Sequence, residues 1–186
     1  MYPFQHLNIY NSLISPYLTY GLVAWGQAAK SHIKKILILQ KRVLRLMNFA
    51  SFNSHAVPYF ISSNILPVNM LYFKLASLLM LDVYHNVTHS NLSDLFTSTY
   101  KVHNYNTRSS AAGSYYVDHS QIDHLKTSFS RMGPRIWNSI PEYLRKLPKH
   151  IFKKKITAIL FEILRVQDTC VDIQDIIDNI SKQKEK

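Results

Sequence analysis

No aspartate or glutamate occurs in the first 81 residues of this 186-residue chain; the first carboxylate is that of Asp82. Metal-assisted nucleotidyl transfer needs carboxylates that converge on the ions, so this stretch cannot supply that chemistry. The eleven acids that follow include no adjacent pair, and the densest group sits on one predicted tail helix. No catalytic acid is assigned. The lone cysteine, Cys170, excludes an internal disulfide and any zinc site built on several thiolates, and points to a reducing interior, nuclear or cytoplasmic. With four glycines there is no glycine-rich phosphate loop. Long apolar runs are missing too. The most apolar stretch, 70–81, is short and carries Lys74, and the opening MYPFQHLN has neither the basic lead nor the apolar run of a signal peptide, so no membrane partner is expected.

What is present is a core and an excess of positive charge. Hydrophobic residues make up 47% of the chain, enough for a folded domain, and the formal net charge is +11. A cationic protein of this kind seeks a polyanion, with nucleic acid ahead of anionic membrane.

Periodicity predicts a mainly α protein: a helical bundle over 1–90, a smaller α-rich subdomain over 91–165 with a candidate short strand at 114–117, and an acidic amphipathic tail over 166–186. Residues 4–26 read as two short, buried helical pieces, with Pro16 near the first turn of the second. The clearest helix spans 31–48, with Ser31 as its expected N-cap. At ~100° per residue, Lys34, Lys35, Lys41, Arg42 and Arg45 fall within an arc of about 120°. Ile33, Ile36, Leu37, Leu39, Val43, Leu44, Leu46 and Met47 fill the rest and are expected in the core. Such a helix is about 27 Å long at ~1.5 Å per residue, so its cations can follow successive phosphates of a duplex.

Further along, 56–62 suits a brief helix. Residues 68–85 are apolar nearly all round, the pattern of an enclosed central helix. The polar stretch 86–113, containing HNYNTR at 103–108, reads as a connection. Residues 128–147 hold a Gly-Pro break and read as two short helices, the second opened by Pro141, and 149–165 as a further helix. Lys153, Lys154 and Lys155, with Arg145, Lys146 and Lys149 upstream, form a second basic cluster. Each cluster also suits an ordinary solvated helix face, but two without interspersed acids favour a polyanion. Tyr17, Tyr20, Trp25 and Trp137 have the faces to stack on bases, yet their helical spacing among aliphatics places them in the core. His85 and His89 share a helix face but lack a third ligand, so no metal or other cofactor is assigned. In the tail, Asp168, Asp172, Asp175 and Asp178 lie opposite Ile173, Ile176, Ile177 and Ile180, and this helix either docks or frays.

Five strings, SLISPYLTYGLVAWG at 12–26, LQKRVLRLM at 39–47, HNYNTR at 103–108, FSRMGPRIWNSIP at 129–141 and LPKHIFKKKI at 147–156, together resemble the C-terminal region of reverse transcriptases from non-LTR (LINE-type) retrotransposons. In that family the corresponding region follows the polymerase palm, beginning near the thumb, a helical element that holds the template–primer duplex. The resemblance implies a non-catalytic piece of an RNA-directed DNA polymerase, a remnant or fragment, that grips RNA or DNA duplex by its phosphates or packs against a missing palm. It puts Lys34, Lys35, Lys41, Arg42 and Arg45 first among duplex contacts, followed by Arg108 and Arg135; Lys153, Lys154 and Lys155 add the second cluster. The family's aromatic-x-Asp-Asp motif is absent, and Cys170 alone cannot build the zinc knuckle that ends some relatives. A protein-interaction or dimerisation module left from a mobile element is the alternative.

Overall fold

The computed structural model describes residues 3–102, 113–118, 128–167 and 171–182. Its elements are helical, as the periodicity implies. At the N-terminus α1 (Pro3–Ile9) runs through a widened π turn (Tyr10–Ile14) into α2 (Ser15–Thr19), with Pro16 in its first turn. A proline has no N–H for the carbonyl four residues back and its ring crowds that carbonyl, so the turn before it opens and the Ser15 N–H reaches the Tyr10 carbonyl instead. This region is less buried than expected: Tyr10 and Leu22 are covered, whereas Tyr17 and Tyr20 are 83% and 85% exposed.

After α3 (Leu22–Trp25), the chain turns at Gly26 into α4 (Lys30–Met47). A Cβ on Gly26 would stand 2.3 Å from the Tyr72 ring and 2.5 Å from the Leu22 carbonyl, so the close approach requires glycine. The helix begins one residue before Ser31. Ala29 is its N-cap, no side chain caps it, and Ser31 lies exposed in the first turn.

Next come α5 (Val57–Ser62) and α6 (Val68–Tyr84). The latter is the enclosed central helix: Tyr72, Phe73, Ala76, Ser77, Met80 and Leu81 have no exposed surface, and α3, α4 and three later helices pack around it. Short helices α7 (Ser90–Ser93) and α8 (Thr99–Val102) follow.

No strand forms among the described residues. The segment at 114–117 makes an isolated antiparallel bridge between Ser98 and Tyr115. On the other side of Tyr115 the Asn138 amide does a partner strand's work, its Oδ1 accepting the Tyr115 N–H at 3.0 Å and its Nδ2 donating to the Tyr115 carbonyl at 2.7 Å.

The expected Gly-Pro break is also absent: α9 (Phe129–Ser139) continues through Gly133 and Pro134. Met132, Gly133, Pro134, Ile136 and Trp137 are all buried, and a Cβ on Gly133 would lie 2.8 Å from the Met80 sulfur. Close packing on α6 outweighs the hydrogen bond lost at proline. Then come α10 (Glu142–Arg145), which follows Pro141, and α11 (Lys149–Val166). Finally, α12 (Ile173–Lys182) docks through buried Ile176, Ile177 and Ile180 onto α6, α9 and α11. One apolar core runs from Tyr10 to Ile180, across positions 90 and 165.

Candidate nucleic-acid interface

The rotation of α4 decides which residues meet solvent, and a buried glutamine fixes it. Gln40 donates to the Tyr10 hydroxyl at 3.0 Å and the Leu66 carbonyl at 2.9 Å, while its Oε1 accepts the Val68 N–H at 3.0 Å. A side-chain amide satisfied three ways inside a core cannot turn outward without leaving those groups unpaired. With Gln40, Ile33, Leu37 and Leu44 inside, the opposite arc is outside. Lys34, Lys35 and Arg42 are exposed; Lys41 and Arg45 are half-buried. Arg45 has a bracing role as well, its Nε donating to the Ser54 carbonyl at 2.8 Å. The Arg42 guanidinium lies over the Phe52 ring, 5.7 Å from its centre.

The outward arc is not purely cationic. Ile38, Leu39 and Leu46 are exposed beside the lysines and arginines, so the expectation that Leu39 and Leu46 lie in the core is corrected. Helix α4 packs on α1, α5 and α6, and the line of full burial is only as wide as Ile33, Leu37, Gln40 and Leu44.

Near the start of α4 the fold brings together two predicted residues that lie a hundred positions apart. Lys34 and Arg135 both line a cleft of about 440 Å³ whose walls include Ile33, Leu37, Met132 and Ile173. Arg135 sits on α9 rather than in a loop, and its Nη2 donates to Gln174 Oε1 at 2.6 Å. Lys30, at the same cleft, pairs with Asp172; that hydrogen bond and the carboxylate charge raise the Lys30 pKa. Asp172, just before the tail helix, and Asp175 in its first turn thus bring negative charge to this end of the cationic helix.

On α11, Lys153, Lys154 and Lys155 are exposed on one turn. Lys74 stands near Lys153, and burial, reinforced by that second cation, pulls the Lys74 pKa below the ordinary lysine value. The upstream part of this cluster is corrected. Arg145 is buried, donating to the carbonyls of Ile140 and Asn138 at 2.9 and 3.2 Å and lying over Trp137. Its Nη1 also donates to the Ser114 hydroxyl at 3.4 Å, so the guanidinium ties α9 and α10 to the 114–117 segment. Lys146 and Lys149 are exposed but form ion pairs with Glu142 and Asp82, each at 2.6 Å. Arg108 and most of the 103–113 connection lie outside the described residues, as do Asp168 and Cys170.

Of the four aromatics placed in the core, Trp137 is there, Trp25 is half-buried, and Tyr17 and Tyr20 are exposed. His89 caps α7, accepting the Asn91 N–H, and His85 ends α6. Among the described residues no group of three His, Cys, Asp or Glu side chains is placed to hold a metal ion, and no helix is long and apolar enough to cross a membrane.

Sequence reasoning overlooked Lys30 and Lys74 as neighbours of these sites, along with the exposed rings of Phe49 and Phe52. The two phenylalanines had a visible signal, since they stand in the polar string NFASFNS at 48–54 just after the cationic helix.

Comparison with known proteins bears on part of the chain. Over 44 residues it is 52% identical to the RNA-directed DNA polymerase from the mobile element jockey of Drosophila melanogaster. That stretch is 24% of this chain and 5% of the fly protein, so a short part of the chain is related to a non-LTR retrotransposon reverse transcriptase. No family model and no solved structure matches the chain.

Proposed function

We propose that the chain is a non-catalytic, sequence-tolerant nucleic-acid-binding element derived from a retrotransposon reverse transcriptase, gripping template–primer duplex by its phosphates. The observation that carries this reading is the outward face of α4, where Lys34, Lys35 and Arg42 are exposed within an 81-residue stretch free of carboxylates. Phosphate contacts of this kind position a duplex without reading its bases. Lys153, Lys154 and Lys155 on α11 extend the cationic surface, and Arg135 adds a contact beside Lys34. The relationship to the jockey polymerase supports the lineage, and the missing aromatic-x-Asp-Asp motif supports binding without polymerisation.

A second reading has its own support. Leu39 and Leu46 on α4 and Ile9 and Leu13 near the N-terminus are exposed, and apolar surface of this kind suits a partner protein, such as a polymerase palm, or a second copy. Light scattering with and without a blunt RNA/DNA duplex separates the two. Nucleic-acid binding predicts a monomer that gains the duplex's mass; a dimer indifferent to duplex overturns it in favour of the protein interface.

A further inference from the structure

We propose that Phe49 and Phe52, at the C-terminal end of the cationic face of α4, form a stacking platform for unpaired bases of single-stranded nucleic acid. This deepens the nucleic-acid reading of α4 and rests on it.

The platform begins with the way α4 ends. Asn48 is the C-cap, the Phe49 N–H donates to the Leu46 carbonyl at 3.2 Å, and the Ala50 N–H donates to the Arg45 carbonyl at 2.9 Å. That pair of bonds is a Schellman ending, whose first residue past the cap takes a left-handed backbone and is ordinarily glycine. Here it is phenylalanine at φ 51°, a conformation that a bulky residue adopts at a cost. Burial of the ring does not compensate, because Phe49 is 72% exposed. A residue that strains the backbone and leaves its ring in water is placed for something other than folding.

The second ring shares only the exposure. Phe52 is 68% exposed with the Arg42 guanidinium over it. The loop that carries both rings is held. Arg45 Nε clasps the Ser54 carbonyl, the Ser54 N–H and hydroxyl both donate to the Ser51 carbonyl, and His6 stands edge-on to Phe49, with ring centres 5.3 Å apart. Two exposed rings on a held loop, with the exposed Arg42 over one of them, match what an unpaired base and its phosphate require: a π face to stack on and a positive charge to neutralise. A duplex offers its phosphates but keeps its bases stacked inside. The ligand class that uses both features is therefore single-stranded RNA or DNA.

Phe49→Gly separates a binding role from a structural one, because the two move in opposite directions. Removing the side chain from a left-handed position should raise Tm by about 2–4 °C, while the affinity of the full chain for a fluorescein-labelled 20-mer of dT, read by anisotropy at low salt, should fall about fivefold or more. Phe52→Leu should weaken the same oligonucleotide comparably, Phe52→Trp should retain affinity with its indole emission quenched on binding, and affinity for a blunt duplex should stay within about twofold in every variant. Unchanged dT affinity in both Phe49→Gly and Phe52→Leu, or equal losses for dT and duplex, overturns the platform. If the unmutated chain binds duplex but not dT, the platform alone fails; if it binds neither, the nucleic-acid reading of α4 fails with it.

Discussion

Replacing Lys35 and Arg42 together by glutamine removes two of the four exposed α4 cations, leaving Lys34 and the Asp172-paired Lys30. The two positions lie seven residues apart, about 10 Å along the axis at ~1.5 Å per residue, or roughly three base-pair steps at ~3.4 Å each. Each is thus able to neutralise a separate phosphate. Every neutralised phosphate contributes about −0.9 to the slope of log affinity against log salt on a duplex, so the double variant should have a slope shallower by about 1.8. Between about 50 and about 200 mM salt, a fourfold change, that difference is about twelvefold in affinity. The difference between the slopes does not depend on how many other cations contribute, which makes it a cleaner quantity than either slope alone. Anisotropy titrations of a labelled duplex at four salt concentrations measure it, with circular dichroism melts as the control. Both residues face solvent, and surface changes of this kind usually stay within about 0.5 kcal/mol, so the melts should superimpose. Parallel salt slopes for the two proteins would refute the assignment of Lys35 and Arg42 to phosphate contact.

Three further outcomes follow from the packing and charge of the fold. Gly26→Ala should destabilise the protein by about 2–3 kcal/mol or more in denaturant melts, because the new Cβ meets both the Tyr72 ring and the Leu22 carbonyl; a neutral result would mean that the α3–α4 turn can shift. Arg145→Met should cost about 2–4 kcal/mol, since the carbonyls of Ile140 and Asn138 lose their buried donor, and an unchanged Tm would contradict that account. Lys74 has a lowered pKa in the folded chain, so the unfolded chain binds more protons between the folded and ordinary lysine values and stability should rise with pH across that window. Lys74→Met should therefore stabilise at pH 7, by no more than about 1 kcal/mol because the group is only half-buried, and the gain should shrink above the ordinary lysine pKa; melts at neutral and alkaline pH test the sign.

The long helices were legible because periodicity carries through uninterrupted runs. The 31–48, 68–85 and 149–165 patterns correspond to Lys30–Met47, Val68–Tyr84 and Lys149–Val166, and the isoleucines of the tail mark the face that docks. Failures occurred where tertiary context outweighed local rules. Gly133–Pro134 reads as a break, yet glycine there lets α9 approach Met80 closely enough to continue through the proline. The strand expected at 114–117 is replaced by the Asn138 amide, a contact 23 residues away that pattern reading does not reach. Arg145 looked like surface charge because nothing in EYLRKL reveals the carbonyls it satisfies. The site divides in the same way. The cationic arc of α4 follows from angular spacing, whereas the meeting of Lys34 with Arg135 and the exposure of Leu39 depend on which neighbours pack against the helix. Phe49 offered a clue at the single-residue level, a phenylalanine directly after Asn48 where a helix ending favours glycine.

The most direct test of the central claim is the affinity of the unmutated chain for a blunt RNA/DNA duplex, measured as salt is raised from about 50 to about 200 mM. With Lys34, Lys35 and Arg42 each on a phosphate, the slope should be about −2.7 or steeper and the affinity should fall at least about fortyfold. An affinity that stays level across this range, or no binding at the lowest salt, would contradict it.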